Sequence, residues 1–257
     1  MRIPLHMTTA HALAHRWPAR LACLLLVAAT QTACARQGQN MDQSQFDTPA
    51  AAALDRAAAS GDAADVRRLI ADGANPDATD TRGSTLLQRA MLQNDRKAFD
   101  LLLEAGADPT AGASNGATAM HVAAMLDDTG WMRTLLDRGV SPDVPNTRNG
   151  ETPLYNALEA KNDRNIEFLL AAGARTDVVD GSGSTLLHKA ARINASAWVL
   201  RFLEAGVDPT ATDRVGVTFQ PSFFRTSESI LSGDAKRNRA QVREWLTARG
   251  IAIESRD

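Results

Sequence analysis

The sequence predicts an all-α solenoid of about six helix-turn-helix repeats with short β-hairpin-like tips, and three observations carry that prediction. Two glycine series, one at 83, 116, 150, 183 and 216 and the other at 73, 106, 139, 173 and 206, step by 33 residues with a single step of 34 in each; a fixed period of this size is the mark of a stacked repeat. Before each glycine of the second series, apolar residues fall at i, i+3 and i+4: Val66/Leu69/Ile70, Phe99/Leu102/Leu103, Met132/Leu135/Leu136, Ile166/Leu169/Leu170 and Val199/Phe202/Leu203. That spacing paints one face of a helix. Finally, alanine is plentiful while aromatics make up 5% of the chain, with one tyrosine, which favours small helical units over a sheet core built on large rings.

The first 35 residues stand apart from the periodic region. Arg2, Arg16 and Arg20 are their only formal charges, Leu21 to Ala29 is an apolar run, and Ala33-Cys34-Ala35 offers small residues at a peptidase site. This reads as a secretory signal peptide (1–35), too short to be a permanent membrane span. Two processing routes stay open: cleavage after Ala35, or cleavage before Cys34 with lipidation of that cysteine, which would be the chain's one route to a membrane. Both cysteines, Cys23 and Cys34, lie in this segment, so after cleavage at Ala35 the chain is held by packing alone. Residues 36–48, RQGQNMDQSQFDT, are polar and aperiodic and read as a flexible linker. The repeat domain then runs over 49–257, with repeats at about 50–82, 83–115, 116–149, 150–182, 183–215 and 216–251.

Within each copy the punctuation is legible. Thr85, Thr118, Thr152 and Thr185 precede the first helix, where a side-chain oxygen can cap the free amides. Pro153 sits where a helix misses no donor. The glycine after the second helix permits a left-handed stop, and Pro76, Pro109, Pro142 and Pro209 keep the helix from resuming. One stripe per unit cannot be buried alone, so neighbours must stack. The last copy is expanded: Phe219, Phe223 and Phe224, then a polar stretch near 227–238, then Val242, Trp245 and Leu246 on a closing helix, as a cap requires.

Gly150-Glu151-Thr152-Pro153-Leu154-Tyr155 resembles the turn-and-cap motif of the ankyrin repeat family, and Leu102-Leu103-Glu104-Ala105-Gly106-Ala107-Asp108 resembles its second-helix ending. The resemblance spans roughly 49–251; only one copy keeps Thr-Pro-Leu. It implies a protein-binding scaffold whose partner lies along a concave side, touched by hairpin tips and by the exposed ends of the first helices. By register these are Arg82 and Arg148 at tips, and Leu92/Gln93, Met125/Leu126, Glu159/Ala160 and Arg192/Ile193 at helix ends. Leu92, Met125, Leu126 and Ile193 would form an apolar centre, with Arg82, Arg148, Arg192 and Arg214 as a polar rim.

Other chemistries find little support. Net charge is −2, and loss of the signal leaves 25 basic against 30 acidic residues, without the basic footprint that nucleic acid demands. His121 and His188 share a slot with Gln88 and Tyr155, three residues beyond the threonines, a placement that reads as hydrogen bonding between repeats rather than metal ligation. Asp180-Gly181-Ser182-Gly183 has no following lysine and no preceding strand to make a phosphate loop. No nucleophile and base recur together. The expectation is therefore a non-enzymatic, cofactor-free module, monomeric when unbound and periplasmic or secreted. It would serve as an immunity protein against a secreted effector, as an accessory factor for a periplasmic oxidative-stress enzyme, or as an effector acting on host proteins.

Overall fold

The computed structural model describes residues 46–254, which fall in one compact unit; the signal segment with Cys34 and the linker through residue 45 lie outside the described residues. Among the described residues there are twelve α-helices and one 3-10 turn. The first ten helices form five antiparallel-type pairs in chain order: α1 (Pro49–Ser60) with α2 (Ala63–Ala71), α3 (Leu86–Leu92) with α4 (Arg96–Glu104), α5 (Ala119–Met125) with α6 (Gly130–Asp137), α7 (Pro153–Glu159) with α8 (Asp163–Ala171), and α9 (Leu186–Arg192) with α10 (Ser196–Glu204). The sixth pair is altered: α11 is only Gln220–Phe223, a 3-10 turn covers Glu228–Ile230, and α12 (Gly233–Thr247) is the longest helix of the domain.

Local chemistry sets these boundaries. The Thr85 hydroxyl accepts from the Gln88 amide while the Gln88 side chain accepts from the Thr85 amide, a closed capping box. Asp62, Asp95 and Asn162 cap the second helices through their side chains. Within a pair the chain reverses through a left-handed residue, Gly61, Asn94, Lys161 or Asn194. At the end of the second helix, Gly106 has φ 93° and open space where a Cβ would stand, so backbone conformation alone requires glycine there. The tips are hairpin-like rather than true strands: isolated bridges join Thr79 to Thr85 and Val179 to Thr185. Each tip is also tied to the next by backbone bonds, as from the Ser114 amide to the Gly83 carbonyl and from the Arg214 amide to the Ser182 carbonyl.

The core is one apolar column threaded through the stack. Phe99, Leu102, Met132, Leu135, Ile166, Leu169, Val199 and Phe202, all members of the predicted stripes, are buried against Leu86, Leu87, Met120, Leu154 and Leu187 of the first helices. Leu69, Ile70, Leu136 and Leu170 are only half-buried at its margin. The extra residue of the long step lies in the fourth tip. There the Asn146 amide reaches the Glu151 carbonyl, five positions on, where the second, third and fifth tips close over four.

Three places differ from the sequence expectation. Thr152 precedes α7 but its buried hydroxyl has no hydrogen-bond partner, because Tyr155 extends away from the cap into the next repeat. Phe46 and Thr48, inside the span read as linker, belong to the folded unit: Phe46 is buried, bridges to Asp80 and lies under the Arg89 guanidinium at 4.9 Å, while Thr48 caps α1. In the third repeat the chain leaves α5 in an extended conformation at Leu126 rather than a left-handed one. Buried Asn165 of α8 fills the gap, donating to the Ala124 carbonyl at 2.9 Å and the Leu126 carbonyl at 2.6 Å.

At the C-terminal end, Phe219 and Phe223 are buried on the preceding repeat, as an end cap requires. The buried Arg239 guanidinium donates to the carbonyls of Thr226 (2.6 Å) and Phe223 (2.9 Å) and stacks near the rings of Phe223 and Phe224, which pins the inserted stretch to α12.

Candidate interaction face

The slot three residues after each capping threonine joins neighbouring repeats. Gln88 donates to the Ala117 carbonyl at 2.7 Å. The Nδ1 atom of His121 accepts from the Thr118 amide at 3.2 Å, so its Nε2 carries the proton and donates to the Glu151 carbonyl at 2.9 Å. His188 does the same between the Thr185 amide and the Val217 carbonyl. The Tyr155 hydroxyl is shared between the carbonyls of Ser184 (2.7 Å) and Val178 (3.0 Å). In all four cases the acceptor set includes the residue that follows the next tip glycine. Burial holds His121 below the ordinary imidazole value and outweighs the Glu151 carbonyl, so the ring is a neutral rivet. Burial likewise pushes the Tyr155 phenol far above its ordinary value, helped by the negative charges of Asp180 and Glu151.

These rivets hold the tips in a row beside the ends of the first helices, and two charge clusters show that the rows share one face. Buried Arg89 of α3 bridges Asp55 of α1 at 3.2 Å and Asp80 of its own tip at 3.1 Å. Burial works to raise the Asp80 carboxyl, but the Ser84 amide and the Arg89 guanidinium outweigh it and keep the group below the ordinary carboxylate value. Lys189 of α9 takes Glu151 beside the fourth tip at 3.1 Å and Glu159 at the end of α7 at 2.7 Å.

On this face the structure separates the residues that the register had grouped. Leu92 and Met125, at equivalent positions of consecutive repeats, are 58% and 49% exposed. Leu126 and Ile193, each one residue further along, are half-buried and pack against the core. The apolar centre is therefore two side chains wide rather than four. Gln93 is exposed as the C-cap of α3. Arg82 stands mostly in solvent but leans on Asp80 at 3.3 Å, and Arg148 donates to the Ser114 carbonyl at 2.9 Å. Glu159 is committed to Lys189, whereas the exposed Arg192 forms no ion pair among the described residues. Val215 and Ile230, near the C-terminal end, are also conspicuously exposed.

Sequence reasoning missed the tip acids. Asp80, Asn146, Asp180 and Asp213 occupy one slot, and their side-chain oxygens accept the amides of the turn that follows, as Asp180 does from Ser182 (2.8 Å) and Ser184 (2.9 Å). Their spacing matches that of the glycines and was available as a signal. Among the described residues no three His, Cys, Asp or Glu side chains are grouped to hold a metal, and no helix is long and apolar enough to cross a membrane.

Residues 54–146 and 128–213 match the family model for ankyrin repeats in three copies, which together take in more than half of the chain. Among solved structures, the ankyrin repeat domain of Bcl-3, described as a unique member of the IkappaB protein family, is similar with a TM-score of 0.58 and 26% identity over 74% of this chain and 81% of that one. The ankyrin repeat protein EF0377 shares the fold with a TM-score of 0.56 and 23% identity, over 77% of this chain and 97% of that one. The chain therefore belongs to the ankyrin repeat family, whose scaffold is a protein–protein interaction module.

Proposed function

We propose that this chain is exported and binds a partner protein across the face shared by its first helices and hairpin tips, in the periplasm of a bacterium or outside the cell. The observation that carries the reading is the exposure of Leu92 and Met125 at equivalent positions of consecutive repeats. Large apolar side chains at the centre of a rigid polar rim are the usual anchors of an interface. The backbone rivets between tips pre-organise that face, so little ordering entropy opposes association. A rigid binder that covers its target acts by stoichiometric masking, which fits an immunity protein covering a secreted effector. Export is supported by the arginines, the apolar run and the Ala33-Cys34-Ala35 site of the first 35 residues.

The test is capture of the native partner by the full chain and by a Leu92→Ser/Met125→Ser variant. Loss of two such contacts, each worth roughly 1.5 kcal/mol or more, is expected to weaken capture about a hundredfold or more with helical content unchanged. Equal capture by both proteins would place the interface elsewhere. Cell fractionation with intact-mass measurement checks export: the expected mature chain starts at Arg36, and acyl groups on Cys34 would show the lipoprotein route instead.

A further inference from the structure

The interaction face is polarised along its length. The column of first-helix ends reads Leu92, Met125, Glu159 and Arg192, and in the sixth repeat the same register falls on Arg225, two residues past the end of α11. Contacts between adjacent repeats run beside the last three steps of the column: Asn156 of α7 touches the Met125 sulfur at 3.6 Å, Lys189 of α9 holds Glu159, and the Thr226 hydroxyl next to Arg225 donates to Asn194, two residues past Arg192. The first half of the column is apolar. The second half carries Arg192 and Arg225, with Arg214 on the sixth tip, all exposed and none in an ion pair among the described residues. Carboxylates on the same face are already engaged. Asp55 and Asp80 hold Arg89 and Glu151 and Glu159 hold Lys189, while the half-buried Asp180 and Asp213 turn onto the amides of their own tips, which shields their charge without cancelling it. Arg148, in the middle, is bonded only to a neutral carbonyl, so its charge is unbalanced too. Asp127, exposed two residues beyond Met125, would repel an acidic group at the apolar end.

We infer that the face accepts one continuous segment of a partner protein, apolar at the end that meets Leu92 and Met125 and acidic at the end that meets Arg192, Arg214 and Arg225. This rests on the interaction-face reading above and adds the chemistry and direction of the occupant. Neighbouring helices pack roughly 8–10 Å apart, so the four steps from Leu92 to Arg225 span about 32–40 Å. An extended chain advances about 3.3 Å per residue, which makes the segment about 10–12 residues long. Unpaired arginines also favour carboxylates over other anions of similar charge, because the planar guanidinium can donate two parallel hydrogen bonds. Reversed binding would set carboxylates beside Asp127 and apolar side chains among hydrated arginines, so one direction is selected.

The probe is a displayed library of random peptides of about twelve residues, selected on the mature chain, on Arg192→Glu/Arg225→Glu, on the milder Arg192→Gln/Arg225→Gln, and on Leu92→Ser/Met125→Ser. The wild type is expected to enrich peptides with aliphatic or aromatic residues at one end and two or more Asp or Glu at the other. Affinity of the best peptide should fall about tenfold or more in the glutamine variant and with rising salt. The glutamate variant should select basic peptides, and the serine variant should lose the apolar end while keeping the acidic one. Circular dichroism on each variant excludes misfolding, and the glutamine pair serves if the glutamate pair fails to fold. Selected peptides without an acidic excess, an unchanged selection after charge reversal, or no selection at all would overturn the inference. Those results would leave the interaction face itself standing so long as Leu92→Ser/Met125→Ser still loses the native partner.

Discussion

At the scale of the residue, the same slot shows how different side chains perform one task with different side effects. Gln88, His121, Tyr155 and His188 all reach a backbone carbonyl of the next repeat. Glutamine and histidine close the capping box as well; tyrosine has no acceptor to spare for the threonine amide, and Thr152 is left with an unpartnered hydroxyl. His121 adds a pH dependence. Its folded value is lowered by burial, so the unfolded chain takes up a proton that the folded chain refuses, and stability falls as pH drops below about 6.5 until the folded value is reached. His121→Gln, which copies the second repeat, should be nearly as stable as wild type at pH about 7.5 and should gain on it at pH about 5. Urea midpoints at the two pH values test this, and a difference that does not change with pH would show that His121 titrates alike in both states.

At the scale of the element, the turns between paired helices carry the strain. Lys161 holds φ 53° where two other repeats place asparagine at φ 56° and the first places glycine. A side chain with an ordinary Cβ costs about 1 kcal/mol in that region, and asparagine less. Lys161→Asn is therefore expected to raise the stability of the domain by roughly half of that amount, measurable as a rise in melting temperature. The third repeat has no such residue, since Leu126 leaves α5 extended and Asn165 satisfies the carbonyls instead. That substitute is a long-range contact, about which the local run Leu126-Asp127-Asp128 is silent.

At the scale of the whole molecule, each repeat touches only its neighbours, so stability is a sum of unit and interface terms and the ends are the weak points. The C-terminal end is closed by Leu246 and Val242 of α12 and by Arg239, whose guanidinium binds two carbonyls of the inserted stretch. Leu246→Ala should cost about 2–5 kcal/mol. The loss is expected to open the sixth repeat first, so that hydrogen exchange speeds up in α11 and α12 while α3 to α8 stay protected. Uniform loss of protection across the stack would show a single cooperative unit instead.

The period, the order of helices, the buried stripes and the inter-repeat role of the histidine slot could all be read from sequence, because they follow from short-range rules: helical spacing, cap chemistry and glycine conformation. The partner-facing surface could be read only to within a column of positions. Leu92 and Ile193 both close a first helix, yet one stands in solvent and the other leans on the core. The pairing of Arg89 with Asp55, of Lys189 with Glu159 and of Asn165 with the end of α5 joins residues about one repeat apart or more. Exposure and charge balance depend on how each unit settles against the next. Sequence alone therefore determined the scaffold, whereas tertiary packing decided which side chains remain available to a partner.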